Sequence, residues 1–242
     1  MSEASKTPAE PARRFYKQAV AQALDGAFTV ALDGRTLKTP AGAPFRVPTM
    51  ALAQACALEW RAQGERVLPA AMAITQLAFA AIDWTGRDRT SRINYIASYG
   101  ETDLCCHRAG SPEGLVARQA ATWDPLVAWG RRELGVVLPV VTGIVAARAA
   151  SETLAAISER AALLDDFHLT ALSQATGLSG SMLIAFALLY GEVDAQRAFE
   201  AAALDDLWSL ERWGEDAEAR TRLMRMRAEF DALAAFIACL SA

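Results

Sequence analysis

The side chains able to do chemistry are few in this chain, and their spacings do not bring them together. Cys105-Cys106-His107 is the one Cys/His cluster in a sequence holding four Cys and two His. Adjacent residues on a helix or strand point apart, so they converge neither on one zinc ion nor as a thiolate–imidazole pair. No second ligand pair stands at metal spacing, and local packing explains the cluster better than a metal site. Gly177-Leu178-Ser179-Gly180-Ser181 resembles a nucleophile elbow in part, but Ser181 stands where that motif needs Gly, and no strand precedes it. Ser179 is better read as a helix N-cap. His168 lies beside Asp165 and Asp166 in a helical stretch, with no nucleophile to serve. Neither a dinucleotide-binding glycine pattern nor a phosphate-binding loop is present. An enzyme built on this chain would use carboxylates such as Asp83, Asp103 or Asp206, and no spacing singles out a pair. The expectation is therefore no catalytic residue, no metal and no cofactor.

What remains is Leu204–Asp216, LDDLWSLERWGED, with two of the six Trp, a carboxylate pair and a Gly where a helix should stop. Read as part of one helix over Asp194–Trp213, at about 100° per residue, it puts Phe199, Ala203, Leu210 and Trp213 on one stripe. Asp206 falls inside that stripe, whereas Asp205, Ser209 and Arg212 take the polar side. A carboxylate framed by aromatics is either a core acid bonded to an Arg or amide, or a contact for a protein partner. The residues alone leave that choice open. They also leave open a hydrolase or transferase of unrecognised type, and a general holdase for unfolded chains.

The elements that must carry these groups fall into two regions. Residues 1–12 read as a disordered tail with no apolar leader segment. Order begins near Arg14-Phe15-Tyr16, with a first strand over Tyr16–Val20. Phe28–Leu32 and Arg35–Lys38 flank Asp33-Gly34, a two-residue type I′ turn that pairs Val30 with Leu37. A short strand Phe45–Val47 follows. Thr49 caps a helix over Met50–Gln63 that lays Trp60 against the sheet. This gives an α+β unit over 13–68. From residue 69 to 242 the pattern is helical: Thr75–Trp84, Asp88–Tyr99, Ser111–Thr122 with Ser111 as N-cap, a break at Trp123, Pro125–Leu134, an extended connector over Val136–Ile144, then Ser151–Leu164, Asp166–Ala175, Ser179–Tyr190, Asp194–Trp213 and Glu215–Leu240. Ser179–Tyr190 is apolar nearly all round and should be the central buried helix. The fold class expected is α+β, a small antiparallel-sheet-plus-helix domain followed by a larger all-helical domain.

Bulk properties narrow the partners. The balance of 24 basic and 28 acidic residues, net −4, argues against a general nucleic-acid binder. Arg220, Arg222, Arg225 and Arg227 are flanked by Glu218 and Glu229, which reads as a solvated helix face. The longest apolar run, Met182–Tyr190, is too short to span a membrane. Scattered Cys and the lack of a secretory leader suit a reducing compartment.

Several motifs together resemble a known family. Arg14-Phe15-Tyr16, Leu32-Asp-Gly-Arg-Thr-Leu-Lys-Thr-Pro40, Val47-Pro48, Ala57-Leu-Glu-Trp60, Thr102-Asp-Leu-Cys-Cys-His-Arg-Ala109, Trp123-Asp-Pro125 and Leu204–Gly214 stand in the order seen in the chaperone of the F-type ATP synthase α subunit. The likeness covers nearly all of the chain after residue 12. It implies no catalysis, but binding to the free α subunit and shielding of its β-facing surface until α and β assemble. It also implies a protein that is monomeric when free, in the cytoplasm of bacteria and the mitochondrial matrix of eukaryotic relatives. An acid in the helix before the Trp-Gly pair matters in the family and falls here on Asp205 or Asp206; the wheel favours Asp206. The contact surface expected is thus Asp205, Asp206, Trp208, Glu211, Arg212 and Trp213, with Trp60, Asp33, Gly34 and Trp123 in structural roles. This chain departs from the family at Leu207, where a third acid can stand, and at His107, where Tyr is usual.

Overall fold

The computed structural model describes residues 12–143, 148–214 and 216–241. Most of the tail expected over 1–12, part of the connector and Glu215 lie outside them. The fold is α+β, as expected.

Three antiparallel strands open it, β1 (Ala19–Leu24), β2 (Ala27–Leu32) and β3 (Arg35–Thr36), in the order β1-β2-β3. Asp33 and Gly34 have φ of 48° and 81°, as a type I′ turn requires, and the Leu37 N–H donates to Val30 O at 2.8 Å. The same Leu-Asp-Gly run occurs eight residues earlier. Asp25 and Gly26 (φ 45° and 77°) turn β1 into β2, a hairpin that the sequence reading missed. That turn sets the first strand at Ala19–Leu24 rather than Tyr16–Val20. Tyr16 instead sits edge-on to Trp60 and donates its hydroxyl to Trp60 O at 2.6 Å. The Phe45–Val47 stretch forms only bridges, Val47 exchanging hydrogen bonds with Phe28 at 2.9 and 3.0 Å.

Thr49 Oγ1 accepts from Leu52 N and starts α1 (Met50–Arg61), whose Leu52, Cys56 and Trp60 are buried against the sheet. Then come α2 (Ala73–Asp83), α3 (Arg89–Ser98), a two-residue strand β4 (His107–Arg108), α4 (Glu113–Trp129), β5 (Val141–Thr142), α5 (Ser151–Ala162), α6 (Asp166–Ser179), α7 (Met182–Leu189), α8 (Ala195–Ala202), α9 (Leu204–Trp213) and α10 (Ala217–Leu240). β4 and β5 pair in parallel, so two residues of the expected connector join a ladder. All eight residues of α7 are buried, and apolar contact runs unbroken from Tyr16 to Leu240.

Several helix boundaries differ from expectation, the largest through packing or a distant hydrogen bond. α4 does not stop at Trp123 but runs through Pro125 to Trp129, followed by a π turn to Leu134 that ends at Gly135, φ 72°. Trp123, Leu126 and Trp129 are all buried, and that burial outweighs the hydrogen bond proline cannot make. Ser111 does not cap this helix; Pro112 stands at its N-cap without a side-chain bond. α6 continues to Ser179, whose hydroxyl donates to Ala175 O, and Ser181 rather than Ser179 caps α7 by accepting from Ile184 N. The helix expected over Asp194–Trp213 is two helices, broken at Ala203. The indole Nε1 of Trp123 donates to Ala201 O at 2.9 Å and takes the acceptor that Asp205 N would use in an unbroken helix.

Candidate functional site

Because of the break at Ala203, the single apolar stripe from Phe199 to Trp213 does not exist. Ala203 is buried, Phe199 packs on the core, and Trp213 is 77% exposed. α9 is a short helix of its own, and side chains from two neighbouring helices hold it.

On the α4 side, Gln119 is the link. Its Oε1 accepts from Ala109 N and its Nε2 donates to Asp205 Oδ1, both at 2.8 Å. Arg118 pairs with Glu211 at 2.6 Å. That hydrogen bond holds the Glu211 carboxyl below its ordinary range and raises the Arg118 guanidinium. Trp208 lies on the first turn of α4. A Cβ built at Gly114 would stand 2.8 Å from its ring edge, so only glycine allows this approach without the ring giving way. The Trp208 Nε1 is buried with no hydrogen-bond partner among the described residues. Arg212 reaches back over the same ring at 5.5 Å. Leu204 is buried at the base.

On the α10 side, Arg222 grips Asp206 with both terminal nitrogens, at 2.8 and 2.9 Å. The hydrogen bond to Asp206 and its charge raise the Arg222 guanidinium. Both side chains stay open to solvent, 42% exposed for Asp206 and 57% for Arg222. Asp206 is therefore bonded to an Arg as a core acid would be, yet it lies at the surface. Asp205 faces α4, so the two adjacent acids are tied to different helices.

Together these contacts fix a surface of two tryptophans, one pinned and one free, among paired charges. Beside it a cleft of about 440 Å³ runs between α4, α8 and α9, floored by Pro125, Leu126, Val193 and Leu207 and rimmed by Arg118, Arg197, Glu192 and Glu200. Gln119, Arg118, Gly114 and Arg222 were not singled out in the sequence. They lie 16 to 94 positions from the α9 residues they hold, beyond any local pattern.

The residues expected to be structural are placed as follows. Trp60 is 7% exposed under β1 and β2, its Nε1 without a partner among the described residues. Asp33 accepts from Gln18 N at 2.8 Å and from Lys17 N at 3.0 and 3.1 Å, which holds its carboxyl below the ordinary value. Trp123 is fully buried, with the Arg108 guanidinium over its ring at 5.3 Å and Asp124 pairing that Arg at 2.8 Å. Asp103 and Asp83, the other acids considered for catalysis, are buried. Asp103 accepts from Ser181 Oγ, Leu183 N and Cys105 N at the start of α7, and burial pushes its carboxyl up. Asp83 accepts from Thr39 Oγ1 and Ala41 N and joins the sheet region to α2. Each is occupied in holding backbone. Cys105 and Cys106 are buried, their thiols pushed up by desolvation.

A rigid helical scaffold that presents a small aromatic and charged helix outward is the geometry of a protein-binding surface. Comparison with known proteins identifies the family. A model of the ATP12 chaperone protein family matches residues 13–131. Atp12 from Paracoccus denitrificans is 35% identical and superposes with a TM-score of 0.89 over 95% of this chain and 98% of that one. A lysine-for-aspartate mutant of the same protein superposes equally well, with a TM-score of 0.89. The mitochondrial protein atp12 of Schizosaccharomyces pombe is 28% identical over 227 residues, spanning 88% of this chain and 78% of that protein. The chain belongs to the ATP12 chaperone family, the assembly-chaperone family its motifs resemble.

Proposed function

We propose that this chaperone binds the free α subunit of the F-type ATP synthase catalytic head and covers its β-facing surface until α and β assemble. A lone α subunit exposes an interface built for another chain, and such surface aggregates. The chaperone's task is to hold that surface tightly enough to prevent self-association and loosely enough for β to displace it. A few anchors of about 2 kcal/mol each meet both demands. We assign the contact to α9, with Asp205, Asp206, Trp208, Glu211, Arg212 and Trp213. The observation that carries the assignment is Trp213, a large aromatic left 77% exposed on a helix held by both neighbours. Residues 13–68 and 69–242 act as two domains of a protein that is monomeric when free and works in the bacterial cytoplasm. Among the described residues no helix is long and apolar enough to cross a membrane.

The test is capture of the α subunit by tagged chaperone. Asp206→Lys should keep its helical circular dichroism and lose co-purification. Trp213→Ala should weaken capture about tenfold or more, the scale of a hot-spot residue. Normal capture by both folded variants would take the contact away from α9.

A further inference from the structure

A second surface lies at the far end of the sheet. There the β2–β3 turn, the Phe15-Tyr16 segment and the last turn of α1 enclose a groove of about 620 Å³. Its apolar lining comes from Phe15, 72% exposed and edge-on to Tyr16 at 5.4 Å, with Leu32, Leu37 and Trp60. Arg35 and Lys38 stand on its rim, both exposed, and neither has an ion pair or side-chain hydrogen bond among the described residues. The one acid lining the groove, Asp33, already accepts from the N–H groups of Lys17 and Gln18. The wider charge distribution points the same way. Residues 13–68 hold eight Lys and Arg against four Asp and Glu, whereas residues 69–242 hold fifteen against twenty-two. Glu59, another of the four acids, is engaged by Ile74 N and Thr75 N.

We propose that this groove binds an extended acidic segment of the chaperone's protein client, with an apolar side chain against the Phe15–Tyr16–Trp60 ring cluster and carboxylates at Arg35 and Lys38. It rests on the chain being a protein-binding chaperone and not on α9 being a contact. A polyanion such as RNA fits less well, because two rim cations are few for tracking phosphates and the acidic helical region repels it. Two modest contacts on one client, well over a hundred residues apart in the chaperone, make the second effectively intramolecular and raise avidity without a tight single site.

The test uses the full chain labelled with ¹⁵N and titrated with a capped hexapeptide of alternating Glu and Leu, read at the indole N–H resonance of Trp60. We expect a saturable shift that weakens about tenfold in Arg35→Glu/Lys38→Glu, as reversal of two facing charges should give. Asp206→Lys should leave it unchanged, so that failure here and failure of the α9 assignment are told apart. No shift at millimolar peptide would overturn the proposal. So would an equal shift with the Lys–Leu counterpart, an unweakened shift in the double variant, or equal competition by oligouridylate.

Discussion

Exchanging the charges of the Asp206–Arg222 pair separates contact from positioning. The pair is bidentate but solvent-exposed, so after screening it contributes about 0.5–1 kcal/mol to stability. Asp206→Lys removes that and sets two cations side by side, a total cost of about 1–2 kcal/mol. For a chain of this size each kcal/mol lowers Tm by roughly 2–4 °C, and α9 stays docked through Gln119–Asp205 and Arg118–Glu211. The double variant Asp206→Lys/Arg222→Asp restores an opposite-charge pair with its polarity reversed. If Asp206 meets the client directly, the double variant regains most of the lost Tm but not α-subunit capture. The assay is differential scanning fluorimetry beside pull-down at fixed α-subunit concentration. Recovery of capture together with Tm would refute the reasoning, because the acid would then serve only to brace α9 against α10.

Trp60→Arg should lower Tm by well over ten degrees or leave the protein insoluble, since it buries an unpaired cation between α1 and the sheet at a cost of several kcal/mol. An unchanged melting curve would contradict the packing described. Asp33, held low by the Gln18 and Lys17 amides, gives stability that is present above its ordinary value of 3.8 and lost as pH falls through the depressed one. Tm measured between roughly pH 2 and 5 should therefore fall less steeply in Asp33→Asn, and parallel curves would count against the turn contact. Thiol labelling at neutral pH should reach Cys239 first and spare Cys56 and Cys106, whose thiols burial pushes up to about 12. Mass spectrometry after brief alkylation of the native protein reads this directly, and early modification of Cys106 would disprove its burial.

Local signals in the sequence were sound wherever a local cause sufficed. Asp33-Gly34 specified its turn because few residues accept two positive φ values in succession, Thr49 capped α1 through its own hydroxyl, and the uniformly apolar run around α7 had to be buried. The Asp25-Gly26 turn and the Ser181 cap were local signals passed over, and the errors of helix phase arose where a distant group intervened. Nothing near residue 203 announces that Trp123, far back in the chain, takes the Ala201 carbonyl, and without that knowledge the helical phase was carried through the break. Pro125 looked like a helix boundary because its missing N–H is visible in the sequence, while the burial of Trp123 and Trp129 on either side is not. The site was legible as a stretch of residues, not as a geometry. Asp205 and Asp206 are indistinguishable as neighbours, and only Gln119 and Arg222 give them separate roles.

The bond from Trp123 to Ala201 also has an evolutionary meaning. By cutting the backbone ladder between α8 and α9, it insulates the outward helix from the core beneath it. Substitutions on the solvent side of α9 need not propagate into the bundle, because only Leu204 of that helix is buried. The exposed segment can drift with its client as lineages diverge while the scaffold stays under separate selection for packing. A lineage could then retune recognition at positions such as Ser209, Arg212 and Trp213, which make no bond to another helix among the described residues, and leave the scaffold alone.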